Sequence, residues 1–124
     1  MADEIQLTAR LYASKLGAFL PSVTYTKSTT MVGTDMGSQT QSIGTASSET
    51  LDVPVDVSTP YKLLISNLDT TNYVELSFTS GFIAGAGTMR LPFGETMLIP
   101  YINTNLYLLA NTAAVTIQAT FCEV

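Results

Sequence analysis

The stretch Tyr61-Lys-Leu-Leu-Ile-Ser-Asn-Leu-Asp-Thr-Thr-Asn-Tyr-Val-Glu-Leu-Ser-Phe-Thr79 sets two apolar runs on either side of a polar turn. Tyr61 to Ile65 is nearly continuous apolar sequence, the pattern of a strand covered on both faces. From Asn72 onward, Val74, Leu76 and Phe78 alternate with Tyr73, Glu75 and Ser77, which predicts one dry face and one wet face. Between them, Asn67-Leu-Asp-Thr-Thr-Asn72 is rich in side chains that bond their own backbone and favour a turn. The simplest topology for such a stretch is a β-hairpin.

Outward from this hairpin the chain reads as strands and turns. Ile5, Leu7, Ala9, Leu11 and Ala13 alternate with Gln6, Thr8, Arg10, Tyr12 and Ser14. Helix is the competing reading of these residue types, but the period is nearer 2 than 3.6. Gly17 and Pro21 punctuate the chain, and the Thr-rich run from Ser22 to Met31, with Val23 and Tyr25 on one parity, predicts a second, more exposed strand. Residues 33–50 have little apolar content beyond Met36 and Ile43, so they predict a surface loop or an arm that orders on meeting a neighbouring subunit. Leu51, Val53, Val55 and Val57 alternate with Asp52, Pro54 and Asp56, and Pro54 assigns that strand to a sheet edge or to a break in pairing.

Beyond residue 80 the pattern continues. Ser80 to Thr88 is a Gly-rich loop holding Phe82 and Ile83; it lacks the Lys-Ser/Thr and the following helix of a phosphate-binding loop. Met89 to Tyr101 predicts a short strand, a Pro-Phe-Gly-Glu turn and a strand that enters the core through Met97 and Ile99. Leu106 to Ala110 is a short apolar strand. In the final segment Val115, Ile117, Ala119 and Phe121 oppose Thr116, Gln118 and Thr120. About eight strands and no persuasive helix predict an all-β, antiparallel sandwich or jelly-roll-like fold over residues 1–124, with 33–50 as the loop or arm.

Composition bounds the function. A chain of 124 residues supports one domain with a core of modest size. Only 12% of residues are charged and the mean hydropathy is +0.29. Apolar surface is therefore expected to be covered by a partner, most simply other copies of the chain, unless Thr and Ser do the solvating. The net charge of −5 argues against a general nucleic-acid binder. Charge is also divided along the chain. Arg10, Lys15 and Lys27 lie between Ile5 and Thr34, where there is no carboxylate, whereas residues 35–124 hold eight acids against Lys62 and Arg90. A basic arm meeting an acidic body of the next subunit is one expectation. No run approaches the ~18 apolar residues of a membrane helix, and the acidic Met-Ala-Asp-Glu start is unlike a secretory signal, so synthesis in a cytoplasm is expected. The single Cys122 excludes an intrachain disulfide and is expected to be packed or partly exposed.

The chemistry-bearing residues are sparse. There is no histidine, hence no imidazole base, metal ligand or His-containing triad. Asp52 and Asp56, if on one strand face, would stand about 13 Å apart, too far for a shared proton or a retaining glycosidase pair. Asp69, Asn72 and Glu75 offer oxygens for calcium, although turn capping explains the first two more simply. No catalytic, cofactor or metal site is expected. The expected contact residues between subunits are Leu7, Leu11, Phe82 and Ile83.

Three segments carry a resemblance. Asn67-Leu-Asp-Thr-Thr-Asn-Tyr-Val-Glu75, Met89-Arg-Leu-Pro-Phe-Gly-Glu95 and Leu106-Tyr-Leu-Leu-Ala-Asn-Thr-Ala-Ala-Val115 together resemble small virion proteins of tailed bacteriophages, with Gln41-Ser-Ile-Gly-Thr45 fitting more loosely. Pro92-Phe93 departs from the pattern, which usually has Lys before Gly-Glu. The resemblance spans roughly residues 61–122 and implies a noncatalytic structural component of a phage virion, head- or tail-associated; joined with the apolar surface inferred from composition, it leads to the expectation of a homo-oligomer made in the host cytoplasm and binding other virion proteins. From the net charge and the lack of a long apolar run, no nucleic-acid or membrane partner is expected. The alternative is a receptor- or glycan-binding module at a virion tip, for which Tyr12, Tyr25, Tyr73, Tyr101 and Tyr107 are available aromatics.

Overall fold

The structure is a computed structural model that describes residues 4–15, 18–31 and 35–124, with the side chains of 4–11, 24–31 and 35–124. Gly17, residues 33–34 and the side chains of Tyr12, Lys15 and Val23 lie outside the described part. The chain forms two compact units, Met1–Val32 and Gly33–Val124, each described by itself. Ten strands and no helix occur among the described residues, all paired antiparallel, so the chain is all-β.

The first unit is a ribbon of two long strands, β1 (Glu4–Lys15) and β2 (Ala18–Thr30). Their register sets Ile5 opposite Thr29, Leu7 opposite Lys27 and Ala9 opposite Tyr25, then shifts between Leu11 and Ala13. Pro21 falls inside β2 at that irregularity, a place where a missing N–H is tolerated. Directly opposed residues share a face, so Leu7, Ala9, Leu11, Tyr25 and Lys27 form one face and Gln6, Thr8, Arg10, Thr24 and Thr26 the other. On the polar face the Thr8 and Thr26 hydroxyls are 3.2 Å apart.

The second unit is a sandwich of two four-stranded sheets. One has the order β3 (Met36–Ile43), β10 (Val115–Glu123), β5 (Tyr61–Asn67), β8 (Thr96–Ile102). The other runs β4 (Glu49–Thr50), β9 (Tyr107–Ala110), β6 (Val74–Ser77), β7 (Met89–Leu91). From β3 to β10 every connection passes from one sheet to the other except β6–β7. Both sheets feed one core: Ile43, Leu63, Ile65, Ile117 and Phe121 from the first, Val74, Leu76, Leu91 and Leu108 from the second. Tyr61 meets Phe121 edge to face, with ring centroids 5.2 Å apart, and the alternation of β10 buries Val115, Ile117, Ala119 and Phe121 as its sequence predicts.

Four expectations are corrected. Residues 61–79 are not a hairpin: β5 pairs with β10 and β8, β6 pairs with β7 and β9, and the six-residue turn carries the chain between sheets. The face assignments invert as well. β5 alternates, with Tyr61, Leu63 and Ile65 buried and Leu64 exposed, whereas all four residues of β6 are buried. Residues 33–50, expected as a loop or arm, contain β3, which pairs along its length with β10, and the short β4. Residues 51–57 are not a strand: a turn closes from the Val57 N–H to the Pro54 carbonyl at 2.9 Å, and Val55 is 98% exposed.

Candidate interaction surface

β3 shows how an almost wholly polar strand becomes an ordered edge. Its outward positions Ser38, Thr40 and Ser42 are exposed, and its other parity carries Gly37, Gln39 and Gln41. The Gln41 amide donates to Thr50 O at 3.0 Å and accepts from Asp52 N–H at 2.9 Å, and Gln39 donates to Asp52 O. Two glutamines thus stitch residues 50–52 alongside the strand. Gly37 is needed there because a Cβ would sit 2.8 Å from Pro54 Cγ. These contacts fix the connection between β4 and β5, whose tip presents Val55 between the exposed Asp52 and Asp56.

The sheet-crossing turn after β5 is organised by Asn67, buried at the end of the strand. Its Nδ2 donates to Asn72 O at 2.9 Å and Leu91 O at 3.2 Å, while Oδ1 accepts from Asp69 N–H at 2.9 Å. Asp69 in turn accepts from Asn72 N–H at 2.6 Å and Thr71 N–H at 2.7 Å. Those backbone donors, Asn72 first and Thr71 next, hold the Asp69 carboxyl below its ordinary range. The oxygens of Asp69 and Asn72 therefore cap a turn.

Glu75 has a separate task. Buried on β6, it accepts from Gly85 N–H at 2.8 Å and pairs with Arg90 at 3.3 Å. The Arg90 guanidinium also lies over the Tyr73 ring, 4.0 Å from its centroid. Gly87 passes so close that a Cβ there would be 2.6 Å from Glu75 Cβ. The Gly-rich β6–β7 loop is thereby anchored by one carboxylate, not arranged as an anion cradle. Asp69, Asn72 and Glu75 do not assemble into a cation site, and among the described residues no group of three His, Cys, Asp or Glu is placed to hold a metal.

The residues expected at a subunit contact occupy different settings. Leu7 is half-buried and Leu11 is 63% exposed on the ribbon. Phe82 is buried and its neighbour Ile83 is 74% exposed, although both line one cleft of about 250 Å³ with Ser48 and Leu109. Phe82 is thus a packing residue of its own subunit. Other large apolar side chains left exposed include Tyr25, Met36, Val55, Phe93 and Tyr101. Val55 was missed in the sequence because its alternation with Leu51, Val53 and Val57 reads as a buried strand face. Cys122 is a half-buried free thiol.

Comparison with protein-family models, with curated proteins and with solved structures found no match. The resemblance drawn from residues 61–122 rests on those motifs alone.

Proposed function

We propose that this chain is a noncatalytic structural protein that works by assembling with copies of itself, and that the assembly belongs to a bacteriophage particle, head- or tail-associated. The eight-strand order of residues 36–123, with β3-β10-β5-β8 facing β4-β9-β6-β7, is read as a jelly roll, an architecture recurrent in capsid and lectin domains. One observation carries the assembly reading. Leu11, Tyr25, Met36, Val55, Ile83 and Phe93 are all more than half exposed on a chain with only 12% charged residues, and uncovered side chains of that size mark contact surfaces. The virion assignment is supported by the sequence motifs.

A native mass measurement tests the assembly reading: a discrete oligomer is expected, and a monomer at high concentration overturns it. Immunogold labelling of tailed particles with antibody against the purified chain tests the location. The exposed rings of Tyr25, Phe93 and Tyr101 favour a second reading as a glycan-binding module. Clear hits on a glycan array would favour it over pure assembly.

A further inference from the structure

We propose that the β1–β2 ribbon of one copy docks, by the face carrying Leu7, Leu11, Tyr25 and Lys27, on the Asp52–Asp56 connection of a second copy. The inference rests on the self-assembly reading and names its contact. Three observations lead to it. First, the ribbon's apolar face is exposed over part of its length: Leu11 is 63% and Tyr25 65% exposed, and Ala9 and Lys27 are exposed, while Leu7 is half-buried and Ile5 on the same face is buried. Among the described residues β1 and β2 pair only with each other, and a two-stranded ribbon gains durable stability in water when a further surface packs on it.

Second, charge selects the surface. The ribbon, Glu4 to Thr30, carries Arg10, Lys15 and Lys27 against Glu4, a net of +2; residues 35–124 carry eight acids and two cations, a net of −6. Ribbon against ribbon and body against body both place like charges together, whereas ribbon against body places opposite charges together. Within the body, Glu49, Asp69 and Glu75 already bond the chain's own N–H groups. The remaining exposed carboxylates are Asp52 and Asp56, two on one connection, and Glu95, alone on another.

Third, the receiving surface is shaped for an apolar, basic partner. Val55, 98% exposed, stands between the two carboxylates as a knob. The Pro54–Val57 turn and the Gln39 and Gln41 amides hold that knob in place before any partner arrives, which lowers the ordering cost of binding. Val55 meets the Leu7, Leu11 and Tyr25 surface while a carboxylate meets the Lys27 ammonium.

Size favours a closed arrangement. Strands of twelve and thirteen residues make a ribbon face ~40 Å by ~10 Å, so a docked ribbon removes at most ~800 Å² from both partners together, half of a standard interface. An assembly in which every copy gives one ribbon and receives one doubles that, and such reciprocity closes into a dimer or ring.

The test uses the full-length chain in sedimentation velocity, with circular dichroism confirming that each variant keeps its sheet content. Lys27→Glu alone and Asp52→Lys/Asp56→Lys alone should each weaken assembly by about tenfold or more. Mixed together, each variant's ribbon regains a complementary body on the other chain, so the mixture should recover assembly at a 1:1 ratio. An oligomer untouched by either variant overturns the docking contact while leaving self-assembly standing. A wild-type chain that stays monomeric overturns both. Two variants that each disassemble but fail to restore one another when mixed also overturn the contact, since a misfolded body or a contact elsewhere gives that result.

Discussion

Replacing Asn67 tests the sheet-crossing architecture most directly. This amide is 1% exposed and serves three backbone groups: the carbonyls of Asn72 and Leu91 and the N–H of Asp69. Its own backbone donates to Glu95 O at 2.9 Å and accepts from Gly94 N–H at 3.1 Å, so the residue ties the β5–β6 turn to the β7–β8 turn. In Asn67→Ala the buried Leu91 carbonyl is left without that donor, at a cost of about 1–3 kcal/mol. The Asn72 and Asp69 groups are only partly buried, and water takes over some of their bonding, so they add less. A total of about 2–4 kcal/mol is expected, which in a domain of this size lowers Tm by roughly 10–25 °C.

Asn67→Asp separates hydrogen bonding from shape. It keeps the acceptor facing Asp69 N–H but sets a carboxylate oxygen against two carbonyl oxygens, and that repulsion raises the new carboxyl's pKa in the folded state. A folded pKa above the unfolded one makes the variant least stable at neutral pH. Stability then returns as pH falls through the raised value toward the ordinary one near 4, and Asn67→Ala should show no such return. Thermal melts of both variants between neutral pH and about pH 4.5 decide the matter. An Asn67→Ala melt within about 5 °C of the parent would show that the side-chain bonds to Asn72, Leu91 and Asp69 do not hold this crossing together.

Adjacent residues should respond oppositely to the same change. Phe82→Asp, which places a charge at a buried position, should lower Tm sharply, whereas Ile83→Asp should leave the melt unchanged and move the sedimentation profile only if the loop tip meets another subunit. Burial raises the Tyr61 phenol above 10, so the unfolded chain ionises first. Stability is full below that value and declines as pH rises through it, and Tyr61→Phe should flatten the alkaline limb of a melt-versus-pH curve. Gly87→Ala drives a methyl into Glu75 and should cost about 1–3 kcal/mol in denaturant unfolding. Glu75→Ala removes the acceptor for Gly85 and should speed amide exchange there; because Arg90 is mostly solvated, loss of the ion pair itself should add little.

Which parts of the fold the sequence makes legible follows from where side chains do the stabilising. β10 is legible because its apolar parity faces the core and its polar parity faces water. β3 is hidden because its second parity is Gly37, Gln39 and Gln41, held by amide bonds to residues 50–52 and by pairing with β10 instead of by apolar burial. A signal is present: Ser38-Gln-Thr-Gln-Ser42 alternates hydroxyl with amide at period 2. The 51–57 segment misleads in the other direction, since its valines alternate but Pro54 and the turn to Val57 divert the backbone, and Val55 emerges into solvent. The Asn67–Asn72 turn was legible as a turn. What local sequence does not encode is the partner of each flanking strand: β5 finds β10, some fifty residues away, and the same Asx chemistry serves a hairpin or a sheet crossing equally well. Phe82 and Ile83 look alike in a Gly-rich loop, and only the fold buries one and exposes the other.

The distribution of charge over the sandwich bears on where contacts form. On the outer face of the first sheet, Ser38, Thr120, Leu64 and Leu98 align in one row and Thr40, Gln118, Ser66 and Thr96 in the next. Lys62 is the charged residue on that face, and the hydroxyls bond laterally, as Ser66 does with Thr96 at 2.8 Å. The exposed body acids, Asp52, Asp56 and Glu95, lie on connections between strands. At physiological ionic strength a charge is felt over about 8 Å, so attraction toward the body is concentrated at the ends of its strands and is weak over the middle of this sheet. A ribbon bearing net positive charge is therefore drawn to a strand-end connection. Of the acidic connections, the one at residues 52–56 also offers a fully exposed aliphatic side chain.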